Sequence, residues 1–299
     1  MPDPATSIPL ILATLASGVV FILAARRVRR PSDNAAPLWP LHAILGAITL
    51  LCAGLFAYRI AVVHKAWVPV QAHVDGLLLI ALLLAPAILY IQTRPRLFGL
   101  SLFAMPLLSL ILAWGVCATL WTYRPFQLDS FAPAWSVFHL AVTYFGLLGC
   151  GLGAAGGAMY LFVQGRLKSK AGLGQVNPMA SLETLETLIV RAATLGFVLL
   201  TLSLISGLIM VTQSDQATSL GSDWWGSPKV WLAGSAWVVY ALLINVRSFS
   251  TFRGRRAAWL AIAGLVLVLA TYGAVEAIDR PEPDASDPLS LETNPEEAD

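Results

Sequence analysis

Charge is what this sequence has least of. Only 12% of its 299 residues are Asp, Glu, Lys or Arg, against 57% that are hydrophobic. A soluble globular domain carries roughly twice that charged fraction, so a soluble domain is excluded. The formal net charge of +2 says nothing about nucleic acid, and no nucleic-acid partner is expected, because the basic residues sit in short loops. Cysteine is scarce too. Cys52, Cys117 and Cys150 all lie inside apolar runs, and no CxxC or CxxCH spacing occurs. That excludes a disulfide framework, a zinc site and a covalently attached haem. There is no nucleophile–base arrangement, no phosphate-cradling glycine loop and no metalloprotease helix, so the chain is read as a non-enzyme. The first apolar run has no basic stretch before it and no cleavage signal after it, and reads as a retained helix.

What is abundant is long apolar sequence. Runs of about 20 residues span a bilayer as helix. Eight candidate spans stand out, over 7–25, 39–62, 70–92, 98–121, 134–163, 185–212, 228–246 and 257–278. The expected fold class is therefore all-α, a polytopic membrane helix bundle of about eight transmembrane helices. Basic clusters alternate with poorly charged loops. Arg26, Arg27, Arg29 and Arg30 follow the first span, Arg94 and Arg96 the third, Arg166, Lys168 and Lys170 the fifth, and Arg247, Arg253, Arg255 and Arg256 the seventh. Because positive charge stays inside, both termini and the even-numbered loops are expected outside. In a bacterial inner (cytoplasmic) membrane that side is the periplasm. The tail over 279–299 is rich in Pro, Asp, Glu and Ser and is expected to be disordered. In the fifth span Gly149, Gly153 and Gly157 fall four apart. Such a stripe lets membrane helices pack closely, and an open path for a bulky ligand is the alternative reading.

Polar and aromatic residues cluster toward the outer ends of the spans. GSDWWGSPKVW, residues 221–231, places Trp224 and Trp225 just before the seventh span, with Pro228 and Lys229 behind them. One reading is an interfacial aromatic belt with a snorkelling lysine. The other is an aromatic surface for a ligand. His64 and His73 flank the outer end of the third span, and His42 opens the second at its inner end. His139 lies inside the outer end of the fifth span, four residues after Trp135, so the two share a helix face. A histidine there is either a hydrogen-bonded packing residue or an axial ligand, since imidazole nitrogen coordinates haem iron. Asp75, near the outer end of the third span, is an ionisable group in apolar surroundings, which is a functional hypothesis by default.

Five segments carry a family likeness. LETLIVRAATLGFVLLTLSLISGLIMV, GSDWWGSPKVWLAGSAWVVYALLINVRSF and FRGRRAAWLAIAGLVLVLATYGAV, in that order, resemble the cytochrome c assembly family of the CcsA and HemX-like type. FAPAWSVFHLAVTYFGLLGCGLGAAGGAMYL resembles its histidine-bearing helix. WVPVQAHVDGLLLIALL resembles its proline-then-acid segment, with Asp75 where the family usually has glutamate. The likeness divides the chain into two N-terminal transmembrane helices over 1–66, an assembly-like domain over 67–278 and the tail over 279–299. It implies haem held at the outer surface against the tryptophan-rich loop and delivered to apocytochrome c. His139 would ligate the metal, with Trp135, Trp224, Trp225, Pro228, Lys229, His73 and Asp75 around the cofactor. The implied partners are membrane lipid, haem, apocytochrome c and other assembly subunits. The chain also departs from the pattern. The acidic residues of the family's loop are missing around Pro228 and Lys229. Asn245 stands where a histidine is usual, and GAVEAIDRPEPD after the last helix holds none. The resemblance thus implies single-histidine ligation. Two alternatives stand beside it: a ligand-less scaffold or HemX-like accessory to haem synthesis, and a small-molecule transporter.

Overall fold

A computed structural model describes residues 4–29, 39–64, 73–94, 97, 99–119, 133–168, 180–213, 228–245 and 254–278. Among them every regular element is helical. In chain order these are α1 (Pro4–Arg29), α2 (Trp39–Tyr58), α3 (His73–Gln92), α4 (Leu100–Thr119), α5 (Pro133–Lys168), α6 (Leu182–Gln213), α7 (Pro228–Asn245) and α8 (Arg255–Ile278). The eight helices stand where eight spans were expected. Six of them are long and apolar enough to cross a membrane, α1 to α6. Val230–Asn245 in α7 is a shorter apolar helix, and α8 runs 24 residues. One end differs from expectation. The second span does not finish as α-helix but passes into a π-helical turn over Arg59–His64. Such turns rotate side chains off the α-helical register and occur often at functional sites.

Local chemistry sets several helix boundaries. Ser181 caps α6: its Oγ accepts from the Thr184 backbone N–H at 3.2 Å, with Glu183 in the first turn. A side-chain oxygen there satisfies an otherwise orphan amide, and the acid complements the helix dipole. Before α8, Gly254 takes φ +71, and a Cβ at that position would lie 2.5 Å from the Tyr160 hydroxyl. Both the backbone angle and the close neighbour require glycine.

The helices pack as two four-membered rings. In the first, α1 contacts α2 and α4, and α3 contacts α2 and α4. In the second, α5 contacts α6 and α8, and α7 contacts the same two. The rings join through α5, which touches both α3 and α4. Leu10, Leu45, Ile48, Leu78, Leu108 and Leu112 fill the first ring, and Cys150, Ile189, Tyr240, Leu243 and Ala258 the second. The outside is as apolar as the inside: Leu15 is 63% exposed, Leu50 75%, Leu195 58% and Val266 58%. Only hydrocarbon solvates such a surface without penalty, so the fold is that of a multi-pass membrane protein.

The glycines along the middle of α5 are packing positions. A Cβ on Gly149 would lie 3.1 Å from the Ala192 carbonyl oxygen and the Gly196 nitrogen on α6, and one on Gly157 would lie 2.8 Å from the Ala258 carbonyl oxygen on α8. At Gly165 nothing lies within 4 Å. We therefore expect Gly157→Ala to destabilise the bundle by about 1–3 kcal/mol, the usual consequence of overpacking. Gly165→Ala should be neutral or mildly stabilising. Thermal unfolding of both variants in one detergent checks this; equal midpoints would contradict the close α5–α8 contact.

Candidate functional site

Two polar clusters lie within the bundle. The first is built on His139, about two turns into α5. Its Nδ1 lies 2.7 Å from the Ser206 hydroxyl on α6. One turn deeper, Thr143 Oγ1 donates to the His139 carbonyl oxygen at 2.6 Å and lies 2.6 Å from Ser203 Oγ. Ser206 Oγ donates to the Ser203 carbonyl at 3.0 Å. Ser203 and Ser206 are buried. Small hydroxyls serve here because they bond back to their own helix and across to a neighbour, where an unmet polar group would be costly. Gly207 makes room for the ring: a Cβ there would lie 3.2 Å from His139 Cε1. No described side chain forms a hydrogen bond to the other ring nitrogen, Nε2, and the imidazole also lies beside the Ser203 backbone carbonyl. Four residues earlier, Trp135 packs against Phe138 with ring centroids 5.6 Å apart. Its indole Nε1 is a buried donor without a hydrogen-bond partner among the described residues.

The second cluster joins α1, α3 and the π-turn. Arg59 Nε donates to Asp75 Oδ1 in a short ion pair, and Arg59 Nη1 reaches Thr6 Oγ1 on α1 at 3.4 Å. His64 Nε2 lies 2.8 Å from the other carboxylate oxygen of Asp75. Asp75 is wholly buried, and the side chains of Arg59 and His64 are 7% and 1% exposed. The π-turn explains the geometry, because it presents both Arg59 and His64 to the start of α3. Asp75 thus has a cation and an imidazole as its immediate partners, in a cluster that shares no residue with the one around His139.

The remaining site candidates are placed as follows. His73 opens α3, two residues before Asp75. Pro228 and Lys229 form the first turn of α7. Trp224 and Trp225 lie outside the described residues. Asn245 ends α7, with Nδ2 donating to the Ala241 carbonyl at 2.9 Å. α7 itself is held to α6 by Trp237, whose Nε1 donates to Thr201 Oγ1 at 3.0 Å and whose ring stands 5.3 Å from that of Phe197.

Three residue types escaped the sequence reading. Arg59 is an arginine inside an apolar run, and that alone was a usable signal. Ser206, Ser203 and Thr143 carried no comparable signal, since serine and threonine are ordinary in membrane helices.

The comparison with known families bears on this arrangement. The model for the cytochrome c assembly protein family matches residues 41–278, most of the chain. The chain belongs to the cytochrome c assembly protein family. Among curated proteins it is similar to the cytochrome c biogenesis protein CcsA of Synechococcus sp. (strain RCC307), 31% identical over 160 residues, which cover 46% of this chain and 50% of that protein. It is also similar to the CcsA proteins of Prochlorococcus marinus strain MIT 9303, 37% identical over 100 residues (33% of this chain, 30% of that protein), and strain MIT 9312, 30% identical over 158 residues (46% and 50%). The chain spans about half the length, or less, of these curated relatives. No solved structure matches it. The matched region contains His139 as well as Asp75 and Arg59.

The buried ion pair yields a direct expectation. Removing one partner of such a pair strands the other charge, a loss of about 3–5 kcal/mol, whereas neutralising both is far milder. Arg59→Met should therefore destabilise the protein by that amount, and Arg59→Met with Asp75→Asn should recover most of it. Unfolding free energies of the two variants in detergent check this. A double variant no more stable than the single would contradict the pairing.

Proposed function

We propose that this protein binds haem at the outer, periplasmic face of a bacterial inner membrane and serves in delivering it during cytochrome c maturation. What carries the reading is the His139 imidazole, with Nδ1 engaged by Ser206 and Nε2 without a side-chain partner among the described residues. The residues fit the group. An imidazole with one nitrogen held and the other available is the donor haem iron takes. The buried Trp135 N–H one turn away on the same face is a donor in want of an acceptor, which a porphyrin carboxylate supplies. Membership of the cytochrome c assembly family supports the same reading, as do the names of the CcsA relatives.

In this account His139 holds the iron. Trp135 orients the ligand, and Trp224 and Trp225 stack on it from the segment that links α6 to α7. Flat aromatic faces and apolar contact suit a large planar ligand. Pro228 sets the start of α7, and Lys229 adds a positive charge beside that segment. His73 is at the rim, and Asp75 shapes the site indirectly, through the packing of α3. Haem, when bound, would supply an iron centre that takes the His139 imidazole nitrogen. The chain's own part is to bind, orient and shield the group. A single imidazole would hold the group weakly, which suits a protein that gives haem up to apocytochrome c. The domain limits at 66 and 278 and the placement of both termini in the periplasm belong to the same proposal.

The missing family histidines at Asn245 and after α8 favour a second reading, a scaffold that keeps the fold without the ligand. One experiment separates the two. Protein purified from haem-replete cells, wild type beside His139→Ala at equal yield, is assayed for haem content and absorption spectrum. We expect a Soret band in wild type whose spin state responds to added imidazole, and loss of most haem from the variant. A wild type without haem would establish the scaffold, and equal haem with identical spectra would remove His139 as ligand. Orientation is tested separately, by reporter fusions after residues 30, 95, 168 and 252. All should report cytoplasm; two periplasmic signals would overturn the topology.

A further inference from the structure

We infer that Ser206 is a positioning residue: it holds the His139 imidazole in its Nδ1–H form and so leaves the Nε2 lone pair as the iron ligand. The inference rests on the haem-binding reading above but concerns the protein's own hydrogen atoms, which can be tested without haem.

The donors in this cluster fix the tautomer. Ser206 has one hydroxyl hydrogen, and it is directed to the Ser203 carbonyl at 3.0 Å. Its oxygen is then an acceptor for the group 2.7 Å away, His139 Nδ1. In a neutral imidazole one nitrogen carries the hydrogen and the other the lone pair. Nδ1 therefore carries the hydrogen and Nε2 the lone pair. The neighbouring level closes in the same sense. Thr143 gives its hydrogen to the His139 carbonyl at 2.6 Å, so the 2.6 Å contact between Thr143 and Ser203 is a donation from Ser203. Each hydroxyl hydrogen has one acceptor, and the imidazole hydrogen has Ser206 Oγ, with the Ser203 carbonyl beside the ring. The reversed assignment would give up the Ser206–Ser203 bond. It would also leave an Nε2–H donor with no side-chain acceptor among the described residues, and a stranded donor in apolar surroundings is unfavourable.

Geometry keeps the ring from escaping this choice. The ring lies against Gly207, where a Cβ would stand 3.2 Å from Cε1. The Thr143–Ser203 contact fixes the α5–α6 register one turn deeper. Ser206, 1% exposed, is shielded from competing water. A hydrogen bond to the far nitrogen of a ligating histidine fixes its tautomer and raises its basicity, and losing such a partner typically weakens metal binding 10–100-fold.

The test uses the full chain in detergent micelles with three probes. First, nitrogen-15 NMR of histidine-labelled protein without haem reads the tautomer, the His139 signals being those absent from His139→Ala. We expect hydrogen on Nδ1; hydrogen on Nε2 overturns the inference, whatever any variant does. Second, ferric haem is titrated into wild type, Ser206→Ala and Ser206→Thr. The alanine variant should bind about 10-fold more weakly, and the threonine variant, which keeps the hydroxyl, should stay close to wild type. Third, metal-free protoporphyrin IX is titrated into the same proteins and should bind all three alike, because no iron bond is involved. A Ser206→Ala protein that binds ferric haem like wild type while His139→Ala does not would overturn the role of Ser206 and leave the haem reading standing. Equal loss of haem and protoporphyrin would also overturn it, by showing that packing alone had changed. Wild type and His139→Ala with identical ferric-haem affinity would instead defeat the haem reading itself.

Discussion

The close approach of α5 to α6 is the constraint on which the rest depends. Glycines face each other across it. Gly149 brings the α5 backbone against Ala192 and Gly196, and a Cβ on Gly196 would lie 2.9 Å from Cys150 Sγ. With the helices this near, short hydroxyl side chains can bridge them, and they do so at two successive levels, Thr143 to Ser203 and His139 to Ser206. In a bilayer no water is available to satisfy an imidazole or a hydroxyl, so each must find its partner in the protein. Helices held apart by larger residues would leave His139 needing both nitrogens satisfied elsewhere. The tight seam engages one nitrogen, Nδ1, and no described side chain takes up the other.

The second cluster applies the same rule to full charges. Arg59 and Asp75 are buried, and neither would be tolerable alone. Their pairing, with His64 on the other carboxylate oxygen and Thr6 on the guanidinium, fixes α1, the π-turn and α3 to one another. This is the first ring's equivalent of the hydroxyl bridges in the second. The two rings meet along α5, so the helix that carries His139 is braced by both.

Much of this was legible in the sequence, and what was not has physical reasons. The number and order of helices followed from apolar run lengths. His139 and Trp135 stood out because a polar ring and an indole four residues apart share a face. The closure of the helices into two rings was not legible, since every surface of such helices is apolar and periodicity cannot say which faces meet. Arg59 went unremarked because it stands near the end of its span, where an arginine usually reaches water; the π-turn turns it inward instead. Ser206 lies 67 residues from His139, and Ser203 lies 60 from Thr143. Nothing in one sequence pairs them before the helices are in register. Asp75 stood out as an ionisable group in apolar surroundings, but its pairing with Arg59 and His64 did not, because the π-turn that brings them to it has no signal in the sequence.

The central claim is an iron bond to the imidazole of His139, and a vibrational measurement addresses it most directly. Resonance Raman spectra of the ferrous haem complex would be recorded with natural and nitrogen-15 histidine. The account predicts an iron–histidine stretching band that moves to lower frequency with the heavier isotope and is missing from His139→Ala reconstituted with the same haem. A complex without an isotope-sensitive band, or one whose band survives in His139→Ala, would contradict it.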